Sequence, residues 1–508
     1  LFASGSWTTV AGDYPDLVSN PRTLSTPHYD YPTGSEMDTI LADMETDGDG
    51  TRIVTSDTAL QAINRDGTAR SDDYRLGLDI DASGTDEWNS GTGFLPIGYG
   101  GNQFSGSFDG DGHVVSGLYI DRAASDIGLF SVASEGSTIE GVGVEDANVS
   151  GDVRVGGLVA DNEGGTVRQS YVTGTVNGTS SVGGLVGEYQ IVSGPGGGVN
   201  DSYATANVTG GINVGGLIGS RFSSGRLNDS YATGTVDGDE RVGGLVGSNV
   251  RGTLQQTHAT GGVNGTDDVG GLVGRSNDGA VVTESYATGA VSGNGDSVGG
   301  LVGENTGGST VDESYARGTV SGGTTVGGLV GRNDATVTDA YAVGRVSGTD
   351  TGGVVGVDDG GTVESVYWDA ETTGRAASSG SAARYGLPTE RMTGLNATVG
   401  LFEFDFEATW RPSATPGGYP SLASNSGFAD ELAAYDGLVA GDGSAAAPYR
   451  ISTVYELQLV RVRLGEGDAF ELAGDIDASS TAQWYDEGNG PQGFEPLEAA
   501  SSAFAGTF

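Results

Sequence analysis

Two stretches of this chain carry paired carboxylates at a spacing suited to holding a cation. Asp47-Gly48-Asp49-Gly50 places two acids two residues apart in a glycine-rich turn, and Asp79-Ile80-Asp81 does the same on a strand-like segment. Carboxylate oxygens are the ligands Ca²⁺ prefers, and alternate residues of a strand share a face. Asp47 and Asp49 lack the downstream Glu that completes a calcium loop, and the related Gly441-Asp442-Gly443 is a plain turn before an Ile strand. Both readings stand for these four acids: turn or backbone-capping chemistry, or a Ca²⁺ site with no other cofactor. Asp109-Gly110-Asp111-Gly112 reads as a corner. The three histidines, His28, His113 and His258, have no second His nearby in sequence, so metal or triad chemistry finds little support. No serine-nucleophile elbow, phosphate loop or dinucleotide fingerprint stands in a strand–turn–helix setting. The expected catalytic set is empty.

A second group of chemically useful side chains recurs. Tyr171, Tyr203, Tyr231, Tyr286, Tyr315 and Tyr341, with His258 in an equivalent place, each sit between a small residue and Ala or Val, and Tyr367 takes the same place between Val366 and Trp368. Aromatic rings with polar tips suit a sugar-binding or partner-binding stripe. The competing reading is stacking between neighbouring strands, which stabilises a sheet face. Seven Asn-x-Ser/Thr sequons, at Asn148, Asn177, Asn200, Asn207, Asn228, Asn264 and Asn396, are candidate glycosylation sites.

These residues owe their spacing to a repeat. Val-Gly-Gly-Leu-Val or a close variant begins at Val155, Val182, Val214, Val242, Val269, Val298 and Val326, and in degenerate form at Thr351, in steps of 25 to 32 residues. Fixed-period self-similarity means that each unit covers the apolar face of the next. Four residues before each Tyr stands an apolar residue, from Val167 to Val363, followed by a mostly polar pair that turns a corner. A second inward Val follows, as at Val176, Val208 and Val236. The pattern predicts three short strands per coil and an all-β fold, a parallel β-solenoid of about ten coils counted from Val115, roughly 50 Å long at the strand spacing. The step is too short for a propeller blade. Short helical or irregular caps close the ends: Ser56 to Asn64 reads as a helix with Leu60 and Ile63 on one face, and Val366 and Trp368 plug the last coil.

Composition narrows the class. The chain has 508 residues, 93 of them Gly, no Cys, and a net charge of −45 in which every cation is Arg. Such a surface repels nucleic acid and anionic membranes and calls for salt to screen it. The absence of Cys removes disulfides and Cys-ligated metals. No run of 18 apolar residues spans a membrane.

The Gly-Gly-Leu-Val-Gly strands and the Ser-Tyr-Ala-Thr-Gly-Thr-Val strands between them resemble the GLUG-motif repeat family of large surface and secreted proteins. The acid excess without Lys resembles proteins of extreme halophiles, so a haloarchaeal-type protein is expected. Members often carry Cys where this chain has Ser, so no thiol chemistry transfers. Flanking motifs recur: Arg52-Ile53 as Arg450-Ile451, Asp79-Ile80-Asp81 as Asp475-Ile476-Asp477, and Trp7 with Leu17 as Trp410 with Leu422. The expected organisation is therefore 1–22 as the run-out of a preceding unit, 23–50 as linker, 51–114 as lead-in and cap, 115–370 as solenoid, 371–425 as run-out, and 426–508 as the lead-in of a second, truncated unit. The resemblance implies an extracellular, non-catalytic structural or adhesive rod at the cell surface, cut from a longer tandem array. Its partners would be cell-surface glycans or proteins, or copies of itself. A self-assembling filament subunit and a carbohydrate-active enzyme on a β-helix are the alternatives.

Overall fold

The computed structural model describes residues 7–8, 16–17, 25–191, 197–380, 386–406, 408–413, 417–424, 441, 443–460 and 469–478. Between residues 107 and 369 the chain winds as a parallel β-solenoid, each coil stacked in register on the last. One coil shows the plan: Val199–Asn200, Tyr203–Ala204 and Asn207–Thr209 belong to a first sheet, Ile212–Gly215 to a second, and Ile218–Phe222 to a third. The second sheet has eight strands and the third has nine. Val155, Val182 and Val214 are register partners in consecutive parallel strands, as the repeat requires, and Thr351 takes the same place below Val326.

The five coils led by Val199, Leu227, Leu254, Val282 and Val311 have five short strand segments on three sheets, where the repeat pattern led to three strands; elsewhere two first-sheet segments run on as one strand, as in Tyr171–Asn177 and Thr336–Ala342. The first sheet turns at a left-handed residue at the second place of the polar pair. Gln169, Asp201, Asp229, Gln256, Glu284, Glu313, Asp339 and Ser365 all have φ between 43° and 56°. A second left-handed series precedes the Gly-Gly motif at Arg154, Ser181, Asn213, Arg241, Asp268 and Ser297, with φ from 52° to 60°. Each such residue costs roughly 1–2 kcal/mol. It persists because the parallel ladders above and below fix the corner.

The Gly-Gly motif has a packing cause. Gly183 and Gly184 do not need positive φ. A Cβ on Gly183 would run into the carbonyl oxygen of Val186, and one on Gly184 would meet Ala204 Cβ at 2.8 Å. Backbones of the second and third sheets approach there too closely for any side chain, and Leu and Val beside them fill the interior. Val182, Leu185 and Val186 are fully buried.

Both ends of the stack are covered. At the front, the helix Asp57–Ala62 is capped by Ser56, whose Oγ accepts from the Ala59 N–H, and Leu60 and Ile63 are buried beneath it. At the back, Val366 and Trp368 are fully buried. Trp368 occupies the place that Ala342 holds one coil earlier, lies against Gly353, and donates from Nε1 to Arg375 O at 2.8 Å.

Two alignments read from the sequence shift in the structure. Val115 is not the lead residue of its coil. Phe108 pairs with Ile139, and Val115 pairs with Val144 further along. The corner between them is longer here because Asp111 and Gly112 add a left-handed turn, with φ of 48° and 80°. Likewise Ile451 corresponds to Val54 rather than to Ile53. Arg52–Val54 pairs in parallel with Tyr74–Leu76 across the helix Asp57–Ala62, and Tyr449–Ile451 pairs with Phe470–Leu472 across the helix Val454–Leu459. The buried ends of these strands, Val54 and Ile451, are the equivalent positions. The hairpin pairings Trp7↔Leu17 and Trp410↔Leu422 also match each other. Among the described residues no helix is long and apolar enough to cross a membrane.

Candidate functional site: an aromatic ladder and its cover

The first sheet sets the ladder. Its left-handed corner turns each Tyr away from the solenoid interior while the next residue, such as Ala204 or Ala232, points in and is fully buried. Parallel register then stacks the rings. Tyr171, Tyr203, Tyr231, His258, Tyr286, Tyr315 and Tyr341 follow one another at centroid distances of 4.8 to 5.1 Å with interplanar angles of 0° to 10°. Tyr367 meets Phe404 edge-on at 5.3 Å. The rings occupy one another's faces, and Tyr171, Tyr203 and Tyr231 are only 4% to 9% exposed. Burial depresses His258, stacked between two tyrosines, to a pKa of about 4, so it is neutral. Burial also raises the Tyr286 and Tyr341 hydroxyls.

The last rungs are roofed by the segment after the solenoid. Met392, Leu401, Phe404, Phe406, Trp410 and Leu422 form one apolar cluster with Tyr315, Tyr341 and Tyr367. Arg317 pins this roof. Its guanidinium lies 4.4 Å from the Tyr315 ring centroid, donates to Tyr341 Oη at 2.7 and 2.9 Å, and reaches the carbonyls of Tyr419 and Pro420. Tyr341 Oη in turn donates to Pro420 O. The sequence signal for Arg317 is a break in the repeat, since the same place holds Thr205, Thr233, Thr260 and Thr288 in earlier coils.

Three of the four candidate cation ligands, Asp47, Asp79 and Asp81, are engaged with protein donors. Asp47 Oδ1 accepts from the N–H groups of Asp49 and Thr51, both at 3.0 Å, and its Oδ2 faces Arg75 Nε at 3.3 Å. Asp79 is buried and accepts from Val114 N–H at 3.2 Å beside His113 Nδ1 at 3.0 Å. Asp81 caps Ser83 N–H at 3.0 Å. Among the described residues no group of three or more His, Asp or Glu is placed to hold a metal ion. His28 bonds Asp57 at 2.6 Å. Of the sequon residues, Asn148, Asn177, Asn207 and Asn264 lie on the third segment of the first sheet, Asn200 and Asn228 on its first segment, and Asn396 in the short turn Gly394–Asn396.

The sequence reading missed a polar seam between the second and third sheets. Arg154 Nε lies 2.5 Å from Asp126 and 3.4 Å from Asp161. Asp161 and Glu188 are register partners on adjacent rungs. Burial, helped by Glu188 and opposed by the Gln190 hydrogen bond and Arg154, pushes Asp161 up to about 7. Asp268, in a similar setting near Glu304 and Arg275, rises to about 6. Arg221 is fully buried on the inner side of the third sheet, bonded to Asn249 Oδ1 at 3.1 Å and to Gly225 O, and burial lowers it to about 10.

Comparison with known proteins completes the picture. The model of the GLUG motif matches residues 294–321 and 322–347, which are two consecutive coils of this stack. These coils are GLUG-motif repeats. Halomucin of the haloarchaeon Haloquadratum walsbyi is 46% identical over 140 residues, 26% of this chain. The chain spans 2% of the length of that relative. Among solved structures, a candidate immunoglobulin A1 protease from Bacteroides ovatus aligns over 75% of this chain and 94% of its own, at 18% identity and a TM-score of 0.34. In GLUG terms, the Gly-Gly pair is the close crossing of the second and third sheets, and the Ser-Tyr-Ala strand is the rung of the aromatic ladder.

Proposed function

We propose that this chain is a non-catalytic structural rod at the surface of an extreme halophile, part of a longer tandem repeat protein, and that its tyrosine ladder is a stabilising spine. The observation that carries this reading is the ladder itself: seven stacked rings whose faces contact each other and leave only edges outward. Rings used this way hold coils together. A sugar laid on the ladder would find no open ring face over Tyr171, Tyr203 or Tyr231. The charge of −45 keeps such a rod soluble in brine, where salt screens its repulsion. Covered ends, at Leu60 and Trp368, favour a self-contained rod over a subunit that adds coils head to tail. Asp47, Asp79 and Asp81 act in this reading as turn and backbone caps, and Asp49 gives its N–H to the Asp47 turn.

The enzyme alternative rests on one feature, the adjacent carboxylates Asp161 and Glu188 with raised pKa values. Glycosidases use such pairs. Asp161, however, is 4% exposed and held by Arg154 and Gln190. Antibodies against the solenoid, applied to intact and to lysed cells of the source organism, test the surface reading. It requires labelling of intact cells, and signal confined to lysates would end it.

A further inference from the structure

The seven sequons are not equivalent in the fold. Asn148, Asn177, Asn207 and Asn264 sit on the third segment of the first sheet, which faces outward. Asn148 pairs in register with Thr175, and Thr175 with Asn207. Asn177 pairs with Thr209, Thr209 with Asp237, and Asp237 with Asn264. They therefore form two neighbouring columns on one face, with a sequon Asn on three successive rungs and again two rungs on. Asn148, Asn207 and Asn264 are exposed, and so are the hydroxyl-bearing residues Thr179, Thr209 and Thr266 of three of the four sequons. Asn207 uses only its Oδ1, which accepts from Thr235 N–H at 3.1 Å and Thr235 Oγ1 at 2.9 Å. Asn264 Nδ2 gives one proton to Asp237 at 2.9 Å and keeps a second.

Asn200 and Asn228 belong to the Asn-Asp-Ser-Tyr corner and are used there. Asn200 Oδ1 accepts from Asn228 N–H at 3.2 Å, and its Nδ2 is packed 2.7 Å from where a Cβ on Gly198 would stand. The sequon hydroxyls Ser202 and Ser230 are buried and donate back to Asn200 O and Asn228 O at 2.8 and 2.7 Å. Asn396 lies outside the solenoid, in the short turn Gly394–Asn396. A transferase must reach both the amide nitrogen and the hydroxyl. Thr179 Oγ1 also donates, to Asp152 at 2.6 Å, but it is exposed, whereas Ser202 and Ser230 are buried, so the two corner sequons are by-products of the coil pattern.

We propose that Asn148, Asn177, Asn207 and Asn264 are N-glycosylated and form a one-sided glycan stripe, leaving the second and third sheets bare. In the transfer step Nδ2 bonds to the anomeric carbon of a lipid-linked oligosaccharide phosphate. The bond from that carbon to the phosphate oxygen breaks, the lipid phosphate leaves with its electron pair, and Nδ2 loses one proton to the transferase base. Neighbouring sites, Asn148 with Asn177 and Asn177 with Asn207, lie one rung and two residues apart, about 8 Å, and Asn177 and Asn264 lie three rungs or about 14 Å apart. The inference rests on export, which the surface reading supplies.

The test is the 508-residue chain with an export signal fused to it, made in a glycosylating haloarchaeal host and mapped peptide by peptide by mass spectrometry. A host glycoprotein in the same preparation serves as the positive control. Glycan mass on the four outward asparagines, with Asn200 and Asn228 unmodified, is the expected result. Unmodified Asn148, Asn177, Asn207 and Asn264 alongside a glycosylated control would overturn it, as would glycan on Asn200 or Asn228. Because export is forced, failure here is separate from failure of the surface reading, which the intact-cell labelling decides.

Discussion

Asp161 gives the sharpest quantitative prediction. Its carboxyl is buried on the third sheet and titrates near 7 against an ordinary 3.8, mainly because burial penalises the charge. The folded chain thus holds a proton that the unfolded chain releases near pH 4. This contribution is fully present below about pH 4 and is lost as pH rises through about 7. Three pKa units correspond to about 4 kcal/mol, an upper figure because Asp161 is coupled to Glu188 on the next rung. Asp161→Asn removes the titration and keeps the shape. Urea unfolding at fixed molar salt, followed by circular dichroism at several pH values, should show variant and parent converging near pH 4. At pH 8 the variant should be the more stable by up to about 4 kcal/mol, less whatever Arg154 loses when its partner goes neutral. Salt does little to a desolvation cost, so the effect should survive in brine. A difference between the two proteins that stays flat from pH 4 to 8 would refute the reasoning.

Other consequences follow from the same packing. His258→Tyr completes the ladder and should add about 1 kcal/mol. It should also remove the His258 share of the stability change between about pH 6.5 and about 4, where an unfolded His charges and the stacked one does not; a difference between variant and parent that stays flat across that window would count against the stacked geometry. Trp368→Ala opens the last coil and should cost about 3–5 kcal/mol, with hydrogen exchange accelerating in the coils next to Gly353 first. Uniform acceleration along the rod would contradict its role as an end plug. Dialysis from molar salt to about 0.01 M, where screening reaches much further than in brine, should melt the β signal. A spectrum that does not change would argue against salt-dependent folding.

The coil was legible because its cause is local. Gly183 and Gly184 mark a crossing where no side chain fits, and the Val residues beside them repeat with the coil. The polar pair ending at Asp201 or Asp229 announced a corner, and polar residues are among those that tolerate the left-handed backbone it needs. What escaped was contact between rungs. Of the charged groups that act on Asp161, only Glu163 is its near neighbour in sequence; Glu188 and Arg154 reach it through coil stacking and the fold of the Gly-Gly turn. Arg317 was visible as a departure from Thr, but its targets, Tyr419 and Pro420, lie in the segment that folds back over the ladder. Val115 was misplaced because the Asp111-Gly112 turn lengthens one corner, and periodicity is blind to insertions. Sequon spacing was plain, yet only the register separates outward Asn207 from Asn228 in its corner.

The claim beneath all of this is that the chain forms a rigid stack with one coil per rung. Asp121 and Ser321 are exposed and stand in one column through Ser150, Asn177, Thr209, Asp237, Asn264 and Ser292. Seven rungs separate them, about 34 Å at the strand spacing. The chain has no cysteine, so Asp121→Cys with Ser321→Cys carries two spin labels and no others. Pulsed electron–electron resonance in molar salt should give one narrow distance distribution centred near 34 Å. A broad distribution, or a narrow one far from that value, would contradict the stacked rod.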